Sequence, residues 1–225
     1  NVYAAGRFES YPGIDSVIIP ARDEDEPALV KLDENGHFLW ARSIGIPEGD
    51  RFLWPYVGLA IAGDGVCLAG PTHAGMNLCN SMNVPPDDIP FGYMMKFKSD
   101  GEQEWLRLLP GCWDLSLGSD SCSEIYISGL NVRAMDFDGN PLTDETFESG
   151  WFLAWFDAEG KYINSRSWED NRSMGLDLTI VDCEHIFLAG EYRNDSGFIE
   201  GIVGDGSSRG GCDAFVFHIL NSDFL

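Results

Sequence analysis

Asp136, Asp138, Asn140 and Asp144 set oxygen-bearing side chains at mostly alternate positions, the arrangement in which a hard cation collects ligands. Calcium is the cation such a segment would take. The segment is not an EF-type loop, because Pro141 stands where that loop turns on glycine and Phe147 where it needs a bidentate carboxylate. The spacing from Asp136 to Gly139 also recurs at 33–36 and 157–160, where it reads as a hairpin turn. A turn is therefore the first reading of the segment and a cation site the second. The run Asp23-Glu24-Asp25-Glu26 is denser in charge, but four consecutive acids read as a solvated loop.

The six cysteines are even in number and show no C-x-x-C spacing, which argues against zinc. Cys79, Cys112, Cys122, Cys183 and Cys212 are the candidates for disulfides formed in an oxidising compartment, with buried thiols as the alternative. Nucleophilic chemistry has little to build on. His37, His73, His185 and His218 are scattered, and no G-x-S-x-G elbow occurs. The glycine-rich stretch 204–211 precedes a strand rather than a helix, so it lacks the helix N-terminus that cradles phosphate. Paired carboxylates for glycoside hydrolysis are always available among 37 acids, and abundance singles out none of them. Among the aromatics, Tyr11, Trp151 and Tyr192 fall in or at the edge of long connections, where ring faces could stack on sugars. Trp40, Trp105 and Trp155 fall on strands and read as packing residues.

The elements that must position these residues announce themselves as a repeat. Ala28-Leu-Val-Lys-Leu-Asp-Glu-Asn-Gly36, Tyr93-Met-Met-Lys-Phe-Lys-Ser-Asp-Gly101, Phe152-Leu-Ala-Trp-Phe-Asp-Ala-Glu-Gly160 and Phe215-Val-Phe-His-Ile-Leu-Asn-Ser-Asp223 align, with turn positions near 36, 101, 160 and 223. A second series, ending at Gly6, Gly70, Gly129 and Gly190, keeps the same period. Each period holds four short runs rich in β-branched and aromatic residues, separated by Asn35-Gly36, Asp64-Gly65 and Asp100-Gly101. Those pairs predict tight hairpins, glycine accepting positive φ without steric cost. Four antiparallel strands repeated radially make a β-propeller, so the expected fold is all-β, a propeller-type repeat of four-stranded blades over residues 1–225 as one region.

Several motifs carry a resemblance. Gly210-Gly211-Cys212-Asp213-Ala214-Phe215-Val216 is similar to the strand opening of the bacterial extracellular β-propeller repeat family, and Lys31-Leu32-Asp33-Glu34-Asn35-Gly36-His37-Phe38-Leu39-Trp40 resembles its next turn and strand. The resemblance implies secreted or surface proteins and no single activity.

With strands named a to d from the inside of a blade, the residues run from a b strand to a c strand, about three and a half blades. This implies a partial or assembling ring whose open edges could add strands. The b–c connections (7–27, 71–92, 130–151 and 191–214) are long and share one face, and insertions gathered on one face mark the face that binds. Any disulfide should join cysteines of one face, because a strand of about six residues separates the faces by roughly 20 Å. Cys122 and Cys183 occupy equivalent a–b turns. With 37 acidic and 14 basic residues the net charge is −23, which repels nucleic acid and anionic lipid. No apolar run approaches the roughly 18 residues of a membrane helix, so no membrane insertion is expected. The composite expectation is a non-catalytic module at the cell exterior or surface, binding protein or glycan there or assembling with itself. A carbohydrate-binding module is the alternative, and a glycan-active hydrolase with an acidic cleft comes last.

Overall fold

A computed structural model describes residues 1–8, 13–14, 17–18, 26–46, 57–72, 76–79, 82–85, 91–131, 136–142, 150–169, 173–193 and 212–220. Among these residues every regular element is a strand. Fourteen strands carry the architecture. They are β1 (Val2–Phe8), β2 (Glu26–Leu32), β3 (Phe38–Ser43), β4 (Gly58–Ala62), β5 (Gly65–Thr72), β6 (Phe91–Phe97) and β7 (Gln103–Pro110). They continue as β8 (Cys112–Ser119), β9 (Ile125–Asn131), β10 (Gly150–Phe156), β11 (Tyr162–Glu169), β12 (Ser173–Ile180), β13 (His185–Arg193) and β14 (Cys212–Leu220).

Each strand pairs antiparallel with its neighbour in sequence, giving four meander sheets: β1-β2-β3, β4-β5-β6-β7, β8-β9-β10-β11 and β12-β13-β14. The second and third sheets hold the four expected strands. The first opens on its second strand, and the fourth is described as far as its third. Met95 and Ala154 lie on the third strands of their sheets, β6 and β10, with Val30 and Phe217 at the matching places on β2 and β14. No strand pairing closes the sheets into a ring among the described residues.

The turns between third and fourth strands depart from the two-residue hairpins expected. Gly36, Gly101 and Gly160 do sit at positive φ, between 76° and 85°, but the residues before them do not, as a primed turn would require. Each is instead a turn followed by a left-handed glycine, with a register shift in the adjoining strands at Lys31/Leu32, Lys96/Phe97 and Trp155/Phe156. The aspartate that opens such a turn is spent on backbone. Asp33 Oδ1 accepts from the N–H of Asn35 and His37, and Asp157 Oδ1 from Glu159 and Lys161. Asp64-Gly65 departs as well, since positive φ falls on Gly63, while Gly65 is small because Phe97 O lies against it.

Apolar faces join the sheets in series. Leu29, Tyr3 and Trp40 of the first sheet cluster with Val66, Leu68, Tyr93 and Met95 of the second. Ala60, Cys67 and Met94 of the second meet Leu117, Ile127, Phe152 and Phe156 of the third. Tyr126, Trp151, Leu153 and Trp155 of the third meet Leu178, Ile186, Leu188 and Phe217 of the fourth. The first strands β4, β8 and β12 lie side by side, close enough that a Cβ on Gly58 would come within 2.9 Å of Leu117 and one on Gly118 within 2.9 Å of Ile180. The alternation of each strand is what allows this, because one face packs backward in the series and the other forward.

A repeated clasp fixes the register of successive sheets. Trp40 Nε1 donates to Ser99 O at 3.1 Å, Lys31 Nζ donates to the same carbonyl, and Arg42 Nε donates to Gly101 O at 2.8 Å. One sheet on, Trp105 Nε1 and Lys96 Nζ both donate to Ala158 O, at 3.2 and 2.9 Å. In each case a buried lysine on a third strand and a tryptophan on a fourth strand seize the turn of the next sheet. The tryptophan rings lie on the turn glycines, so that a Cβ at Gly101 would stand 3.0 Å from Trp40 and one at Gly160 2.9 Å from Trp105. At Gly36 the same Cβ would meet nothing within 4 Å. Both glycines are left-handed, so alanine strains either one by about 1–2 kcal/mol. Gly160→Ala should additionally push the Trp105 ring out of contact, costing about 1–3 kcal/mol more than Gly36→Ala. Urea midpoints of the two variants check this, and equal losses would remove the clasp from the account.

Candidate interaction surface

The long connections leave the same end of every sheet, and the described parts of the second and third reach back to the preceding sheet. Asn77–Leu78 pairs with Met82–Asn83 within the second connection, and on its other side with Gly45–Ile46, which follows β3. The third connection forms a hairpin, Asp136–Phe137 against Asn140–Pro141. Phe137 is buried, with its ring 5.5 Å from Phe156 and 5.7 Å from Tyr162. Burying that one ring holds the hairpin down on the third sheet, while Asp138 ties it to the second. Arg107 of β7 donates from Nη1 and Nη2 to both Asp138 oxygens, at 2.9 and 3.0 Å. This fork, together with a longer bond from Tyr162 N, holds the Asp138 carboxyl below its ordinary range.

Of the cation candidates, Asp136, Asp138 and Asn140 therefore come together on one turn, with each already engaged. Asp136 Oδ1 accepts from Gly139 N at 2.7 Å, Asn140 Nδ2 donates to Phe137 O at 2.9 Å, and Asp138 is forked by Arg107. Asp144 lies outside the described residues. The turn is formed, with Asp138 and Gly139 at positive φ.

Trp151 needs correction as a ligand-stacking ring. It is wholly buried on β10, with centroids 4.9 Å from Trp168 and 5.4 Å from both Phe215 and Phe217. Position at the edge of a connection suggested exposure. The forward face of β10, however, is what the fourth sheet packs upon, and that is a tertiary fact. The indole nitrogens of Trp151 and Trp168 find no hydrogen-bond partner among the described residues, although a buried indole N–H ordinarily has one. Tyr192 is placed by its backbone on β13, opposite Ser173 and Asp213. Tyr11 lies outside the described residues.

Cys122 and Cys183 form a disulfide with Cα atoms 6.4 Å apart, joining the β8–β9 turn to the β12–β13 turn. The bridge lies on one face, as expected, and it staples the third sheet to the fourth. Asp120 shapes its platform by accepting from Cys122 N and Glu124 N, both at 2.9 Å. Cys79 sits with its sulfur 3.4 Å from Ile44 O and 3.7 Å from Met95 Sδ. Cys112 is buried at the start of β8, where burial pushes its thiol well above the usual range. Cys67 is also buried, its thiol pushed up to about 12 by desolvation. The surroundings of Cys67 and Cys112 are inert rather than nucleophilic. Cys212 starts β14 opposite Arg193.

The residues that sequence reasoning passed over are Lys31, Lys96 and Arg107. Lysine at the same repeat position, nine residues before a tryptophan in both cases, was the available signal. Asp114 was also missed. It sits at a left-handed φ of 50° in the irregular part of β8, half-buried, where desolvation raises its carboxyl.

No protein-family model matches the chain. It is similar to the regulatory protein FlaEY of Caulobacter vibrioides, 26% identical over 152 residues, which covers 63% of this chain and 15% of that protein. The chain thus spans a small part of the length of the relative it matches.

Proposed function

We propose that the chain is a propeller-type, non-catalytic binding or assembly module that works outside the cell, with its long-connection end as the contact surface. The observation that carries the reading is the division of labour between the two ends of the sheets. One end has tight turns committed to clasps and to the Cys122–Cys183 staple. The other gives rise to the long connections, the third of which carries exposed Asp138 and Asn140 back along its own sheet, with Asp138 held by Tyr162 N and by Arg107 of the preceding sheet. Adjacent first strands and face-to-face meander sheets support radial stacking of blades. A disulfide across two turns supports an oxidising compartment. The similarity to a protein called regulatory fits a module that acts through contacts rather than turnover. Protein is favoured over glycan as the partner because the Trp151 ring is spent in the core.

The test is a photo-crosslinking residue placed in the full chain at Asn140, on the third long connection, and at Asp64, in the β4–β5 turn, in the producing cells. Both positions are exposed. Crosslinks to a defined envelope or extracellular protein should form from 140 and fail from 64. Equal labelling from both, or saturable glycan binding on an array without any protein adduct, would overturn the reading.

A further inference from the structure

Each junction between sheets brings forward the same two positions, paired across a second and a third strand: Tyr3 with Lys31, Cys67 with Lys96, Tyr126 with Trp155. In the first pair the Lys31 ammonium lies 5.2 Å from the Tyr3 ring, and in the third the rings stack at 6.1 Å. The fourth sheet carries the corresponding pair, Phe187 with His218, stacked at 4.6 Å between centroids. Here the forward face is open, with Val216 beside them 70% exposed. At the other end of the series the first sheet carries the third turn of the clasped kind, and among the described residues no lysine or tryptophan clasps it. Gly36 is exposed with open space over it, whereas Gly101 and Gly160 are buried under tryptophan. Val2 and Leu39, flanking that turn on the backward face, are 51% and 47% exposed, although Val30, nearer the connections, is buried.

Among the described residues, the fourth sheet thus shows a forward face with no turn upon it, and the first sheet shows a turn with no forward face upon it. We propose that the forward face of the fourth sheet docks on the Asp33–Gly36 turn of a second copy, head to tail. His218 takes the place that Lys31 and Lys96 hold in the internal junctions, its ring N–H donating to Glu34 O as theirs do to Ser99 O and Ala158 O. The Glu34 carboxylate at that turn favours a cationic or N–H donor over an acid, the Asp33 carboxylate being held by Asn35 and His37. Such a contact is heterologous, so it builds rings or filaments rather than closed pairs. The proposal rests on the assembly part of the function above. Its test reads self-association, which is independent of adducts formed from Asn140.

Sedimentation of the full chain is run in about 0.15 M salt, where a Debye length of about 8 Å keeps the net negative charge from holding copies apart. The average mass should rise with concentration. Val216→Glu and Leu39→Glu, on the two opposed surfaces, should each hold the chain at its single-copy mass with thermal unfolding unchanged, and His218→Ala should weaken association at least several-fold. A wild-type chain of single-copy mass at all concentrations overturns the proposal. So does association that survives all three substitutions. A monomer whose unfolding midpoint falls in both Val216→Glu and Leu39→Glu overturns it too, because the fourth sheet would then be seated on the first sheet of its own chain.

Discussion

Trp151→Ala is expected to destabilise the chain by about 3–5 kcal/mol, the range for removing a fully buried aromatic side chain. The ring stands at the junction of the third and fourth sheets and touches Trp168, Phe215 and Phe217 at once. Its loss therefore opens a void shared by two sheets, which a rigid β junction can fill only in part. Trp151→Phe separates packing from polarity. Phenylalanine keeps most of the contact and deletes an indole N–H with no partner among the described residues, so the loss should be under about 1.5 kcal/mol. Urea unfolding followed by far-UV circular dichroism reads both variants. A Trp151→Ala protein as stable as wild type would mean that the ring is exposed after all and would reopen its role as a stacking surface.

Reduction of the Cys122–Cys183 bridge should cost about 4 kcal/mol. The cysteines are 61 residues apart, and a cross-link of that span removes about this much loop-closure entropy from the unfolded chain. For a chain of this size that is a fall of roughly 10 °C in Tm. Cys122→Ser with Cys183→Ser should reproduce the loss and abolish any further response to reductant. Peptide mapping of unreduced protein, alkylated during isolation, should return the joined peptides. Recovery of both cysteines alkylated would remove the bridge, and with it the chief support for an extracellular setting. The effect should be local first, since the bridge holds the turn end of only the third and fourth sheets.

The repeat was legible from residue types because strand periodicity and turn glycines are local properties. Gly36, Gly101 and Gly160 mark their turns by the positive φ that few other residues accept, and the short aromatic-rich apolar runs of β6 and β10 mark strands before any partner is known. The same reasoning placed Cys122 and Cys183 on equivalent turns, since counting strands is enough to say which end of a sheet a turn occupies. Even the reading of Asp136–Gly139 as a turn came from a spacing shared with two other turns.

What residue types could not carry was which face each strand shows to its neighbour in the series. Trp151 and Tyr192 looked alike as aromatics beside long connections, yet Trp151 faces forward into the fourth sheet and is lost to solvent. Asp138 looked like a cation ligand until Arg107, 31 residues away on the preceding sheet, took both its oxygens. Lys31 and Lys96 read as ordinary charged residues, although their ammonium groups are buried at junctions between sheets. Strand order, turn positions and the face of each turn were determined by the sequence alone, because they follow from φ preferences and a period of two. The tertiary structure alone decided burial, clasp and ion pair, because those depend on which sheet lies against which, and residues about 60 positions apart meet only when the sheets stack.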